Sequence, residues 1–421
     1  MTEKLLQYIW RLQYFNSKEL FLDSGESLQI LFPGNHNHHQ GPDFLEAKIK
    51  IDHTILVGNI ELHVLASDWE KHSHDDDKNY QNIILHVVWE NDELKSVKKI
   101  PTLALEKRVP KLLLKKYEEL MNNSLFVPCE KMIAQISDII WSSWKERLMI
   151  ERLQRKYETI TGYLSQNNHH WEETFWWLLA RNFGAKVNAE AFEEMAKTIS
   201  INILAKHKNQ IHQLEALLLG QCGLLDNVFL EDYPIMLQKE YQFLKSKYQL
   251  KQINMRAHLL RMRPGNFPTI RLAQLAMLIS ESSHLFSRVR DMESVNDAKG
   301  LMAITANDYW SYHYVLDEAS GFKRKSLGKQ MAENIIINTV VPILFAYGHF
   351  HKQGIYKEKA LRWLGDLSAE KNNMIDRWAN IGSTVKNAFD TQSLIELKTQ
   401  YCDKRKCLEC AIGNRLMKSS L

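Results

Sequence analysis

Proline and cysteine are scarce in this chain, 9 and 5 of 421 residues, glycine reaches only 17, and charge of neither sign dominates. So little proline and glycine argues against collagen-like and low-complexity disordered classes, and 45% hydrophobic with 25% charged residues is the make-up of a folded globular protein. The formal net charge of +4 and an isoelectric point near 8.5 are too small an excess to imply a polyanionic partner, so such a partner has to be argued from local basic clusters. Five cysteines are an odd number, and three crowd the C-terminus; reduced thiols or a metal site suit them better than a disulfide framework, which places the chain in the cytoplasm. Long apolar runs are missing too. Residues 335–347 are interrupted by Asn338, Thr339 and Pro342 and fall short of the roughly 20 residues of a membrane helix, so no membrane association is expected. The first fifteen residues spread their charge and offer no small-residue cleavage site, which reads as an amphipathic helix rather than an export signal.

What is present changes hydrophobic period along the chain. Leu5, Leu6, Ile9, Trp10 and Leu12 recur at helical spacing, and residues 28–32 read as a strand stopped by Pro33-Gly34. Residues 44–51 and 55–65 alternate with period two around Asp52-His53. A polar stretch over 66–82 follows, with Ser67 placed to cap a short helix, and then a nearly continuous apolar run over 83–89, the pattern of a strand buried on both faces. The order is α-β-β-β-α-β. After Asn122-Asn123 the pattern is almost purely helical, with amphipathic stretches over 139–160, 172–181, 211–225 and 233–248. The expected architecture is α+β: a mixed domain over 1–122 followed by a mainly α-helical domain over 123–421, whose Trp141, Trp144, Trp171, Trp176 and Trp177 read as core.

The chemistry is concentrated in the mixed domain. Gly41-Pro42-Asp43-Phe44 precedes one strand, and Gly58-Asn59-Ile60-Glu61-Leu62-His63 lies on the next. On a strand Asn59, Glu61 and His63 share one face, expected to be polar, while Ile60, Leu62 and Val64 share the other. Asp43 entering beside Glu61 would bring two carboxylates together with the main-chain carbonyl of Leu62, an oxygen-rich site of the kind Mg²⁺ or Mn²⁺ prefers. A solvated strand face with a local aspartate cap is the plainer alternative.

These segments, with Ser67-Asp68-Trp69, the His-rich stretch and Asn82 to Glu90, are together similar to a bacterial family of unknown function over the whole chain, a resemblance that implies no activity. Separately, the α-β-β-β-α-β order with Pro-Asp before one strand and Glu-x-His on the next resembles the PD-(D/E)XK nuclease fold, the restriction-endonuclease-like architecture, over residues 1 to about 110. That resemblance implies a divalent-metal-dependent nuclease in which Asp43 and Glu61 hold the metal and the lysine position is taken by His63. The departure matters: histidine, with an ordinary pKa of about 6.5, can serve as general base yet lacks lysine's permanent charge. A non-catalytic nucleic-acid-binding or scaffold protein that keeps the fold is therefore the second reading.

Histidines are dense around this motif. His36, His38 and His39 precede Asp43, and His72 and His74 open a segment that continues through Asp75, Asp76 and Asp77. His39, His72 and His74 are candidates to contact phosphate or metal, although a solvated polar helix would look the same. His72-Ser73-His74-Asp75-Asp76 also resembles the HxHxD opening of metallo-β-lactamase-type hydrolases, which gives a zinc-dependent hydrolase as a third reading; the final histidine of that motif is Asp77 here. His86, inside an apolar strand, reads as a satisfied core histidine.

Cys402, Cys407 and Cys410 have the spacing of metal ligands one short of a tetrahedral set, and Cys129 is the candidate fourth; zinc or an iron–sulfur cluster would suit them. The layout resembles the iron staple of certain helicase-associated nucleases, except that those cysteines bracket the nuclease domain whereas Cys129 follows it. Cys222 sits in an apolar run and reads as buried. Arg256, Arg261, Arg263 and Arg271 flank the Pro264–Pro268 loop, and Lys323, Arg324 and Lys325 precede a helix that Ser326 would cap. Either group could hold the phosphates of DNA or RNA, or be solvated charge.

Overall fold

In the computed structural model the described residues are 1–37, 39–72, 77–92, 100–251, 253–259, 263–282 and 284–418. They form a mixed α+β protein with its main sheet in the N-terminal part and helices after it. Two compact units are present: Met1–Trp144 with Leu397–Leu421, and Lys145–Glu396.

The first unit opens with helix α1, Glu3–Leu12, capped by the Thr2 hydroxyl accepting from the Leu5 N–H and stopped by Gln13 in the left-handed conformation. Its apolar stripe, Leu5, Leu6, Tyr8, Ile9 and Trp10, is buried, and the Trp10 indole N–H donates to the Pro33 carbonyl at 3.0 Å. Strands β1 (Leu20–Phe21), β2 (Ser27–Phe32), β3 (Asn35–His36), β4 (Phe44–Ile51) and β5 (Thr54–Leu65) pair antiparallel, with β3 beside β4 off the main path. A short helix α2 (Asp68–Lys71) then leads to β6 (Ile83–Glu90), which lies parallel to β5, and β7 (Thr102–Ala104) lies parallel to β6. The order across the sheet is β1-β2-β4-β5-β6-β7. A parallel pair cannot be joined by a hairpin, so residues 66–82 are the crossover that separates β5 from β6.

β5 is the pivot of this sheet, antiparallel on one side and parallel on the other, and Gly58 permits the change. A Cβ there would stand 2.5 Å from Ile84 Cγ2 and 2.7 Å from the Asn82 carbonyl oxygen, the carbonyl to which the Asn59 N–H donates at 2.8 Å. The register shifts between Asn59 and Ile60, a bulge that re-aims the side chains after it.

Two local expectations are corrected. Residues 60–63 are all buried, so the face carrying Glu61 and His63 is covered and not open to solvent. Ser67 occupies the N-cap position of α2 without a side-chain cap bond; its hydroxyl donates to Asp92 Oδ2 at 2.7 Å instead.

Helix α3, Lys111–Asn122, and the last helix, Ala411–Lys418, belong to the first unit, and Lys116 Nζ donates to the Leu416 carbonyl at 3.4 Å. The change of period near residue 123 falls after the main sheet, whose last strand ends at Ala104, while the compact units divide between Trp144 and Lys145 and between Glu396 and Leu397. Helical periodicity reports local conformation; membership of a unit depends on what the helix packs against.

The second unit is helical, with a small hairpin of His313–Val315 and Glu318–Ala319 that the periodicity does not announce. Helices Trp171–Phe183, Ile211–Gln221, Asp232–Tyr248 and Pro268–Glu281 surround one continuous core. The stretch Lys329–Phe350 is long and apolar enough to cross a membrane, but 72% of its apolar window is buried inside the protein, as in a core helix. Its polar interruptions are used: Arg152 Nη2 donates to Asn338 Oδ1 at 2.8 Å and Asn182 Nδ2 to Thr339 Oγ1 at 2.5 Å. Of the tryptophans expected in the core, Trp144, Trp176 and Trp177 are buried, whereas Trp141 and Trp171 are half-buried.

Candidate metal centre

Pairing of β4 with β5 sets Phe44 opposite Ile60, so the residue before one and the residue after the other, Asp43 and Glu61, come side by side. The Asp43 N–H donates to Glu61 Oε2 at 3.0 Å, and the Leu62 N–H donates to Asp43 Oδ2 at 3.1 Å. Each carboxylate is thus held by the main chain of the other's strand. Helix α1 adds Gln7, whose Nε2 donates to Asp43 Oδ1 at 2.7 Å, and, one turn earlier, Glu3. Ligand atoms of Glu3, His63 and His72 all lie within 4.8 Å of one another.

His63 is at the centre of the cluster and 1% exposed. Its Nδ1 lies 2.9 Å from His86 Nε2 and its Nε2 lies 3.2 Å from His72 Nδ1, while Nε2 also approaches Glu61 Oε1 at 3.8 Å. The parallel register places Glu61 opposite His86, which is why His86 belongs to this chain of imidazoles and is more than a core residue. When Nδ1–H of His63 donates to His86, the Nε2 lone pair faces Glu61 and His72, the arrangement a ligand or a general base needs. Trp69, buried on α2, packs edge-on against His63 and His86 at ring separations of 6.2 and 5.1 Å.

Electrostatics mark this cluster as short of positive charge. Burial pushes the Asp43 carboxyl up to about 6 against an opposing bond from the Leu62 N–H, with Glu3 adding repulsion. Burial and the charge of Asp43 push Glu61 up to about 8. Tyr80 is raised to about 12 by burial and by the fields of Glu61 and Asp43, which puts its phenol near the pair. Two buried carboxylates with a third close by cannot all ionise cheaply in an apolar surrounding; a divalent cation reverses that, and the mixed oxygen and imidazole donors fit Mn²⁺, Mg²⁺ or Zn²⁺.

The other residues singled out in the sequence are placed as follows. His39 is exposed, and its N–H donates to Asn37 Oδ1 at 2.9 Å. His36 packs its ring on Phe44 at 5.1 Å. His38, His74, Asp75, Asp76 and Arg261 lie outside the described residues. Arg263, Lys323 and Arg324 are exposed. Arg271 is buried, with Nη1 donating to Gln274 Oε1 at 3.0 Å and Nη2 to Asn266 Oδ1 at 2.6 Å, so its guanidinium is engaged within the fold. Lys325 is buried as well, its Nζ donating to the Lys323 carbonyl at 2.9 Å and lying 3.8 Å above the Tyr314 ring. Ser326 does not cap the following helix, which starts at Lys329 with Gly328 at its N-cap; its hydroxyl meets Thr305 Oγ1 at 2.8 Å. Cys129, Cys402, Cys407 and Cys410 are buried, free and all in the first unit. Cys222 is buried in the second unit.

Fold and side chains together define a mixed α+β protein with a carboxylate and histidine centre built on the pivot strand of its sheet. Over residues 3–373 the chain matches the family described as protein of unknown function, DUF2851, and it belongs to that family. No curated protein and no solved structure matches the chain.

Proposed function

We propose that the first unit is a divalent-metal-dependent nuclease of the PD-(D/E)XK type, which hydrolyses phosphodiester bonds in nucleic acid. The observation that carries this reading is the convergence of Asp43, Glu61, Glu3, His63 and His72 at the strand where antiparallel pairing gives way to parallel pairing. Asp43 and Glu61 are the ligands the resemblance implies, and Glu3, His63 and His72 lie with their ligand atoms within 4.8 Å of one another beside them. A bound Mg²⁺ or Mn²⁺ would polarise the phosphate, offset developing charge and lower the pKa of water. The Leu62 group tied to the acidic pair is its N–H, which fixes Asp43; its carbonyl is the further oxygen that the resemblance implies as a ligand.

His63 replaces the lysine and acts as the base that takes the proton from the attacking water. His86 holds its ring orientation through the 2.9 Å contact, and His72 is positioned to pass that proton on or to contact phosphate. The exposed Arg263, Lys323 and Arg324 of the second unit are the candidates to hold the nucleic-acid backbone, whereas Arg271 and Lys325 support the fold.

A zinc-dependent hydrolase is favoured by one observation only, the Glu3, His63 and His72 donor set, which is of the two-histidine, one-carboxylate kind. Metal analysis of the purified chain together with cleavage of labelled single- and double-stranded DNA and RNA separates the readings. Cleavage supported by Mg²⁺ or Mn²⁺ and abolished by chelator supports the nuclease. A tightly held stoichiometric zinc without nucleic-acid cleavage supports the hydrolase, and binding without cleavage under any metal supports a scaffold that has kept the fold and lost the chemistry.

A further inference from the structure

The second unit buries positive charge where a helical core ordinarily carries none. The helix Asp138–Gln166 sets Lys145, Arg152 and Lys156 on one side, since residues seven and four apart share a helical face. Lys145 is buried and satisfied as a buried cation should be: its Nζ donates to the Thr384 carbonyl at 2.7 Å and to Asp390 Oδ1 at 2.9 Å. Arg152, only 4% exposed, is left with an unused donor.

Its guanidinium is seated against a distortion in the apolar core helix. Pro342 has no N–H to return to the Asn338 carbonyl, and the chain opens there into a π-helical turn over Ile336–Val340, closed by the Val341 N–H on the Ile336 carbonyl. Asn338 in that turn accepts from Arg152 Nη2 at 2.8 Å, and its own Nδ2 is tied to the Asn334 carbonyl at 3.1 Å. Arg152 Nη1 is shut off from solvent and has no hydrogen-bond partner among the described residues.

Two acids act on Arg152, Glu370 and Glu396, and both are engaged by other groups. Glu370 Oε2 accepts from Thr391 Oγ1 at 3.1 Å and from Gln392 Nε2, and Glu396 Oε2 accepts from Arg155 Nη2. Arg155 and Lys156 follow Arg152 by three and four residues, which stands three cations on neighbouring positions of one helix surface, about 5–6 Å apart at Cβ, where like charges repel. Lys156 is half-buried and, among the described residues, makes no hydrogen bond or ion pair. Burial and the guanidinium charges around it push its ammonium down to about 8. A buried guanidinium with an unused N–H, beside an unpaired ammonium, is a set of donors that lacks an acceptor.

We propose that Arg152 Nη1 and Lys156 Nζ bind a small oxyanion of phosphate chemistry inside the second unit. Both groups only donate, so the ligand must accept and carry negative charge, and guanidinium and ammonium N–H groups are the donors that suit phosphate oxygens. The burial of Arg152 excludes the backbone of a duplex, while half-buried Lys156 marks the side that reaches the surface. That geometry admits inorganic phosphate or the terminal phosphate of a nucleotide. Bound there, the anion offsets the repulsion along the helix and fixes the guanidinium on the π turn. The inference does not rest on the nuclease reading, whose acidic centre lies in the first unit.

The test is calorimetric titration of the full chain in chelator, with ionic strength held by chloride, using inorganic phosphate and separately adenosine monophosphate. Saturable binding of one anion per chain is expected, together with a rise in the unfolding transition of the second unit. Lys156→Gln should weaken binding by about 10- to 100-fold, the worth of one hydrogen bond between charged groups, and Arg152→Lys, which cannot supply Nη1, should abolish it. Lys156 makes no bond within the fold, so its variant keeps the outcome readable if Arg152→Lys fails to fold. Tighter binding of the monophosphate than of phosphate identifies the end of a nucleotide as the source, and binding of phosphate alone identifies the free ion; either supports the site when the variants lose it. No response beyond that to chloride, or binding that survives unchanged in Lys156→Gln, would overturn the proposal.

Discussion

Replacing Glu61 by glutamine is predicted to make the metal-free protein more stable and the metal-binding protein inert. Both buried carboxyls titrate higher in the folded chain, Asp43 at about 6 and Glu61 at about 8, so the native state binds more protons than the unfolded one. Stability is then fully present below the ordinary carboxylate range and is lost as pH rises through about 8. The shift of Glu61 from 4.5 to about 8, caused first by burial and then by the charge of Asp43, sets an upper bound of about 4 kcal/mol on the stability lost at pH 8, so a gain of about 2 kcal/mol is expected on removing the charge. Glutamine is neutral, nearly the same shape, and keeps an oxygen to accept the Asp43 N–H. Glu61→Gln should therefore raise the unfolding transition of the first unit by about 4–8 °C at pH 8 in chelator, and by little at pH 5, where Glu61 is already protonated in the native chain. Mn²⁺ should raise the transition of the native protein at pH 8 and leave that of Glu61→Gln unmoved. Scanning calorimetry of the full chain and the variant, at pH 8 with and without Mn²⁺ and at pH 5 in chelator, reads all of these. A variant less stable than the native protein at pH 8 in chelator, or one that keeps the Mn²⁺ shift, would refute the reasoning.

His63→Ala is expected to slow cleavage by about 10²- to 10⁴-fold, measured under single turnover, while His86→Ala, which removes the 2.9 Å contact that orients the ring and the packing on Trp69, should cost less and displace the pH–rate profile. Gly58→Ala forces a methyl group against Ile84 and Asn82; an overpacking cost of about 1–3 kcal/mol should appear as a lower denaturation midpoint for the first unit. In the second unit Arg271→Ala removes a buried, hydrogen-bonded guanidinium and should destabilise by about 2–3 kcal/mol with nucleic-acid affinity unchanged, whereas Lys323→Glu with Arg324→Glu should weaken binding and flatten its salt dependence, as filter-binding titrations at two salt concentrations would report.

The strands and the acidic pair were legible because their signals are local. Period-two alternation over 44–51 and 55–65 and the Asp52-His53 turn specify a hairpin, and the hairpin fixes Asp43 against Glu61. Glu3 and Gln7 carry no such signal: charged and polar residues one turn apart on an amphipathic helix ordinarily face water, and only the packing of α1 against β5 turns them toward the carboxylates. His86 was read as core because its neighbours are apolar, and its role depends on the parallel register that sets it opposite Glu61. The return of residues 397–421 to the first unit is a long-range fact with no local pattern behind it, although the spacing of three cysteines hinted at a partner elsewhere. Arg271 and Lys325 misled for the opposite reason, since a basic cluster looks the same whether its members are solvated or buried against their own backbone.

The most direct test of the central claim is single-turnover cleavage of labelled nucleic acid with Mn²⁺ by the native chain, Asp43→Asn and Glu61→Gln, each first checked by its unfolding transition. Loss of cleavage in both variants with the fold intact is the result this account predicts. Cleavage that survives either substitution would place any activity elsewhere in the chain and contradict it.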